Sequence, residues 1–176
     1  MNKKKGFKKT KQEKKSRKNT NDINEELTKA VNFHANGNIE KAEKIYEHLI
    51  NEKNLNNPIL LNNYAILCKK KGKIEKTIQI LQKCNELFPN YADAFCNLGN
   101  TLKEQGKELT LAEAYLKKSI ELKPFSPEAY LNLGFLYQQR GYHEKALDQF
   151  IELFKLEPEH KLATYFIISF IRIIDK

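Results

Sequence analysis

Apolar residues between positions 22 and 160 recur at helical spacing and fall into paired segments. The regular example spans residues 127–158, where Pro127 opens one apolar stripe, Gly141 separates it from a second, and Pro158 ends the second. The apolar positions of the two stripes are Tyr130, Leu133, Tyr137, Ala146, Phe150 and Leu153. Spacing of three or four residues places side chains on one face of an α-helix. The pattern therefore predicts two helices joined by a glycine turn.

The same pair of segments occurs four times. The turn glycines Gly37, Gly72, Gly106 and Gly141 are spaced by 34 or 35 residues. Small residues recur in register in each pair, at Ala30/Ala42, Ala65/Thr77, Gly99/Ala112 and Gly134/Ala146. Small side chains in facing positions indicate that two helices touch closely there. The repeats are predicted at about 23–56, 58–91, 92–125 and 127–160, and four repeats are enough for a stable stack.

The order of residues within each repeat identifies a family resemblance. Residues 130–137 follow the order aromatic-x2-Leu-Gly-x2-Tyr. Ala146 and Phe150 then form the pattern Ala-x3-Phe, and Pro158 stands at the end of the repeat. This order resembles the tetratricopeptide repeat. The resemblance implies an all-α fold, an α-solenoid of four tandem helix pairs over residues 22–160. It also implies a protein-binding scaffold, which we interpret as non-catalytic.

Charge is concentrated at the N-terminus. The formal net charge of the chain is +9, and residues 1–20 carry all of this excess, so that the repeats are neutral overall. Like charges with almost no apolar residues predict a disordered tail over residues 1–21. Such a tail is either a solubilising segment or an arm for nucleic acid or an anionic surface.

Asparagines occupy one equivalent position in successive repeats. Asn63, Asn97 and Asn132 each precede the small contact residue of a first helix by two positions. First helices line the concave surface of tetratricopeptide stacks, and the row is similar to the asparagine ladder of O-linked N-acetylglucosamine transferase-like arrays. A carboxamide donates and accepts hydrogen bonds and can hold the backbone of an extended peptide. The alternative is that these amides cap or bridge neighbouring helices. The predicted peptide-binding groove also includes Asn62, Asn100, Lys69 and Lys103.

Residues 161–176 form a separate apolar segment in phase with another first helix. One interpretation is a helix that caps the fourth repeat. The other is an exposed apolar face that mediates self-association or partner binding through residues 162–174.

No motif of catalytic, phosphate-binding or metal-binding spacing occurs in the sequence, so no cofactor or metal is expected. The odd number of cysteines, placed within predicted helices, favours a reducing cytoplasm. We therefore predict a cytoplasmic adaptor with a protein or peptide partner. An alternative is a substrate-recruiting partner or fragment of a transferase system of the glycosyltransferase type.

Overall fold

The computed structural model of the protein describes the backbone of residues 11–174 and the side chains of residues 22–170. The described residues are helical and contain no β-strand. The helices are α1 (Lys11–Ala35), α2 (Ile39–Glu47), α3 (Pro58–Lys70), α4 (Ile74–Leu87), α5 (Ala92–Gln105), α6 (Leu109–Leu122), α7 (Pro127–Gln139), α8 (His143–Leu156) and α9 (Lys161–Ile174). A π-helical turn, His48–Glu52, follows α2. The predicted all-α fold is confirmed.

The chain divides into two compact units, one ending at Leu60 and one beginning at Leu61. In the first unit α1 packs against α2, and Ala30, Ala42 and Tyr46 are fully buried. Helix α1 begins at Lys11, which differs from the predicted disordered tail for residues 11–21. Lysine, glutamine and glutamate form helices well, and a helix already nucleated by packing extends at little cost per residue. Residues 1–10 lie outside the described residues.

In the second unit each helix from α4 to α9 packs against the next, and α5 also contacts α7. The small residues lie where helices of one repeat meet. A Cβ atom added to Gly99 would lie 2.7 Å from Cγ of Leu116, and one added to Gly134 would lie 2.7 Å from the Phe150 ring. Thr77 of α4 donates its hydroxyl to the carbonyl of Ala65 in α3. The repeated small residues therefore permit the close contact that the sequence pattern predicted.

A charged network joins α6 to α7. The Glu113 carboxylate accepts hydrogen bonds from Tyr137 of α7 and from Arg140, which directly follows α7, and it also pairs with Lys117 at 2.7 Å. Burial alone would raise the pKa of Glu113. The hydrogen bonds from Lys117 and Tyr137, with the positive charges of Lys117 and Arg140, outweigh burial and hold this pKa below its usual range.

The turn between α5 and α6 contains a strained residue. Glu108, which precedes α6, adopts φ 48° and ψ 41°, in the left-handed region that non-glycine residues rarely occupy. Replacing Glu108 with glycine should raise the free energy of unfolding by up to about 1 kcal/mol, because relief of strain exceeds the added entropy of the unfolded chain. Urea unfolding measures this change. Lys107→Gly in the same turn is the control and should lower stability, since Lys107 has no positive φ to relieve.

Candidate functional site: a polar row on successive first helices

The residues predicted to line a groove lie on three helices, α3, α5 and α7, which are the first helices of successive repeats. We call these seven residues the polar row: Asn62, Asn63, Lys69, Asn97, Asn100, Lys103 and Asn132. Asn62 is buried, and the other six are half-buried. The tertiary structure thus brings the predicted side chains to one series of adjoining helices.

Side chains of the polar row connect α3 to α5. The Asn97 amide nitrogen donates to the Asn62 oxygen at 2.8 Å. About two helical turns beyond Asn62 on α3, the Lys69 ammonium pairs with the Glu104 carboxylate at 2.7 Å. Both contacts join residues 35 positions apart, so they follow the repeat period.

A second set of contacts connects α5 to α7. The Lys103 ammonium donates to the Asn132 oxygen at 2.9 Å, and the Asn132 nitrogen lies 3.8 Å from the sulfur of Cys96. Lys103 also lies over the ring of Phe135, with its nitrogen 5.5 Å from the ring centroid. Both the oxygen and the nitrogen of the Asn132 side-chain amide therefore contact residues of α5.

Two of the three ladder asparagines, Asn97 and Asn132, make hydrogen bonds to the preceding first helix. The alternative in which the amides bridge neighbouring helices is thus realised for this pair. Asn63 is half-buried on α3, and the Asn100 oxygen is buried without a hydrogen-bond partner among the described residues. A bridging amide keeps unused hydrogen-bonding capacity, because Asn97 spends one of two N–H groups. Ligand binding by the row stays a prediction.

The two lysines of the row differ in electrostatic state. Lys69 is neutralised by Glu104, whereas Lys103 forms no ion pair with any carboxylate in the described part of the chain. Burial lowers the pKa of Lys103, the charge of Lys69 lowers it further, and Glu104 opposes both effects. Among the described residues, the row therefore contains one half-buried ammonium that has no carboxylate at ion-pair distance.

The thiol of Cys96, beside Asn132, is mostly protonated at neutral pH. Burial raises the pKa of this thiol to about 11, so that the reactive thiolate is scarce. Within residues 22–170, no three or more His, Cys, Asp or Glu side chains cluster in a way that could hold a metal ion. The polar row offers amide hydrogen-bond donors and acceptors and two ammonium groups.

Sequence reasoning missed two features of this region. Glu104 neutralises Lys69, and its spacing of 35 residues from Lys69 was the available signal. The second feature is an aromatic cluster at the end of the row, in which Phe135 contacts Phe150 and Phe166 edge-on. Nothing in the spacing of these phenylalanines distinguishes them from ordinary core residues.

Profiles of the tetratricopeptide repeat family match residues 59–91, 80–114 and 115–148, which together span just over half of the chain. Together with the stacked helix pairs and the buried small residues, this match places the protein in the class of helical repeat scaffolds. The chain belongs to the tetratricopeptide repeat family.

Two curated relatives are transferases. The chain is 35% identical over 103 residues to a UDP-N-acetylglucosamine–peptide N-acetylglucosaminyltransferase of Giardia intestinalis, covering 58% of this chain and 7% of the relative. It is 31% identical over 133 residues to the protein O-mannosyl-transferase TMTC1 of Mus musculus, covering 72% of this chain and 14% of the relative. The chain thus spans a small part of either protein.

Among solved structures, the chain resembles YrrB, described as a TPR protein with an unusual peptide-binding site. The TM-score is 0.67 at 22% identity, over 77% of this chain and 69% of that chain. This likeness supports the fold. No helix within the described residues combines the length and apolar character needed to cross a membrane.

Proposed function

We propose that the second unit binds an extended segment of a partner protein along the polar row and catalyses no reaction on it. The observation that supports this most directly is the alignment of carboxamides on α3, α5 and α7 at repeat spacing. Amides that are fixed by hydrogen bonds to their neighbours lose little side-chain entropy when a ligand binds. The peptide-binding site attributed to the similar protein YrrB gives this role a precedent on the same fold. We place this binding function in the cytoplasm, as the cysteine usage predicts.

Alanine at Asn97 and Asn132 together should weaken partner binding about tenfold or more, since each amide contact contributes about 1 kcal/mol. The partner is first captured from cell extract with the wild-type chain, and the affinity of its bound segment is then measured by calorimetry. Asn90→Ala, in the exposed turn before α5, is the matched control and should leave the affinity unchanged. Equal affinities for wild type and the double variant would refute binding through the row.

A second candidate is substrate recruitment for a transferase, favoured by the 35% identity to a glycosyltransferase. In that case the wild-type chain should co-purify with a transferase from the same extract, and the captured segment should be its acceptor. Capture of a partner without any transferase favours the simple adaptor.

Two further predicted interactions remain as proposals. Residues 1–20 carry the net positive charge, and binding of nucleic acid or an anionic surface would depend on them; residues 1–10 lie outside the described residues. Self-association would use residues 162–174 of α9. In support, Leu162, Tyr165 and Ile168 expose 46%, 63% and 45% of their surface.

A further inference from the structure

A cavity of about 180 Å³ lies where α7, α8 and α9 meet. Ala146, Leu147 and Phe150 of α8 face Phe166 and Phe170 of α9 across it, and the polar residues Gln138, His143 and Ser169 complete its lining. An apolar cavity of roughly 150 Å³ is large enough to bind benzene. The space between α8 and α9 therefore matches one phenyl or isobutyl group.

The cavity adjoins the polar row through aromatic contacts. Phe150 and Phe166, which line the cavity, stack with ring centroids 4.6 Å apart. The Phe135 ring lies 5.8 Å from Phe150 and 5.5 Å from Phe166, and its face meets the ammonium of Lys103. Phe135 does not line the cavity itself, but it contacts both Lys103 and two of the rings that do.

Lys103 is suited to hold an anionic group. Its ammonium has three donors, of which one is used by Asn132, and no carboxylate among the described residues pairs with it. Burial has already removed part of its water, which is reflected in its lowered pKa. A carboxylate from a ligand would restore the lost electrostatic stabilisation, whereas a basic ligand would be repelled.

We propose that the cavity between α8 and α9 receives one leucine- or phenylalanine-sized side chain of the partner segment, and that Lys103 binds a carboxylate of the same segment. This inference rests on the proposed binding along the polar row and adds the chemical class of the ligand. The partner segment carries a bulky apolar residue close to an acidic one.

The test uses two small probes, 4-phenylbutyrate and its neutral isostere 4-phenylbutyramide, titrated into the 15N-labelled full chain and followed by NMR. Both should shift the amide signals of Leu147 and Ser169 at the cavity. The acid should bind about three- to tenfold more tightly than the amide, as expected for a partly shielded ion pair. Lys103→Met should abolish that difference, and Ser169→Leu, which fills the cavity, should abolish binding of both.

Matched variants control for nonspecific effects. Lys123→Met removes an exposed lysine that pairs with Asp93, and Lys161→Leu adds an apolar side chain at an exposed position of α9. Neither should change the affinity for either probe. Thermal melting of every variant shows whether the fold is retained.

Absence of cavity shifts with both probes, or equal affinities of acid and amide for the wild type, would overturn the proposal. The captured partner segment separates this failure from failure of the row. If Lys103→Met and Ser169→Leu leave its affinity unchanged while the Asn97 and Asn132 double variant lowers it, the row binds the segment and the cavity proposal is wrong. If the double variant also has no effect, both proposals fail.

Discussion

Replacing Gly99 with alanine is expected to lower the free energy of unfolding by about 1–3 kcal/mol. The added Cβ would lie 2.7 Å from Cγ of Leu116 and 3.0 Å from the carbonyl oxygen of Ala112. The first atom belongs to a fully buried side chain, and the second belongs to a helix backbone. Alanine gains about 1 kcal/mol over glycine in helix propensity, and the clash must exceed that gain. Guanidinium or urea unfolding measures the net change.

A double-mutant cycle with Leu116→Ala tests the cause. Leu116→Ala alone should cost about 2–5 kcal/mol because it leaves a cavity. In its presence Gly99→Ala should cost less than in the wild type, since the nearest clashing atom is gone. Gln105→Ala, at an exposed position of the same helix, should change stability by less than about 0.5 kcal/mol. Additive costs in the cycle would show that the clash with Leu116 is not the source of the destabilisation.

Replacing Glu113 with glutamine should destabilise the second unit by about 1–3 kcal/mol at neutral pH. The variant keeps the shape of the side chain but removes the charge that pairs with Lys117 and Arg140. Arg140 is then left partly buried without its carboxylate. Equilibrium unfolding of the two proteins at pH 7 gives the difference directly.

The lowered pKa of Glu113 predicts that the difference in stability between wild type and Glu113→Gln depends on pH. Because the pKa of Glu113 is lower in the folded state than in the unfolded chain, its stabilisation is complete above the unfolded pKa. That stabilisation is lost as the pH falls through the folded pKa, so the stabilities of wild type and Glu113→Gln should converge in acid. Glu121→Gln breaks an exposed pair with Lys118 and should cost less than about 1 kcal/mol. A gap between wild type and Glu113→Gln that persists unchanged in acid would contradict this role for the carboxylate.

The internal hydrogen bonds of the polar row bear on how it would bind a ligand. Asn97 and Asn132 are positioned by Asn62, Lys103 and Cys96, so the amides are ordered before a segment arrives. Ordered donors and acceptors reduce the entropic cost of binding. We therefore expect Asn62→Ala to weaken partner binding indirectly, through the orientation of Asn97.

Much of the fold was predictable from the sequence because repetition makes a local pattern visible four times. The period of 34 or 35 residues, the turn glycines and the small contact residues predicted the helix pairs, and the structure and family comparison confirm them. The extent of α1 was not predictable from composition. Charge repulsion favours disorder in residues 11–21, but their helix propensity and continuity with a packed helix favour the observed structure.

The composition of the polar row was likewise readable in the sequence, since Asn63, Asn97 and Asn132 share one register. The partners were not, because they depend on how far each first helix is rotated and shifted against the next. That rotation pairs Asn97 with Asn62 rather than Asn63, and it gives Lys69 a carboxylate while leaving Lys103 without one.

The sequence by itself therefore determined the repeat architecture and the residue types along the row, because helix formation and close packing follow from local spacing. The tertiary structure alone decided which amides bond to each other, which lysine stays uncompensated, and that a cavity lies beside Phe150 and Phe166. These features depend on side-chain positions in three dimensions between residues far apart in the chain. Repeat spacing restricts those positions without fixing them.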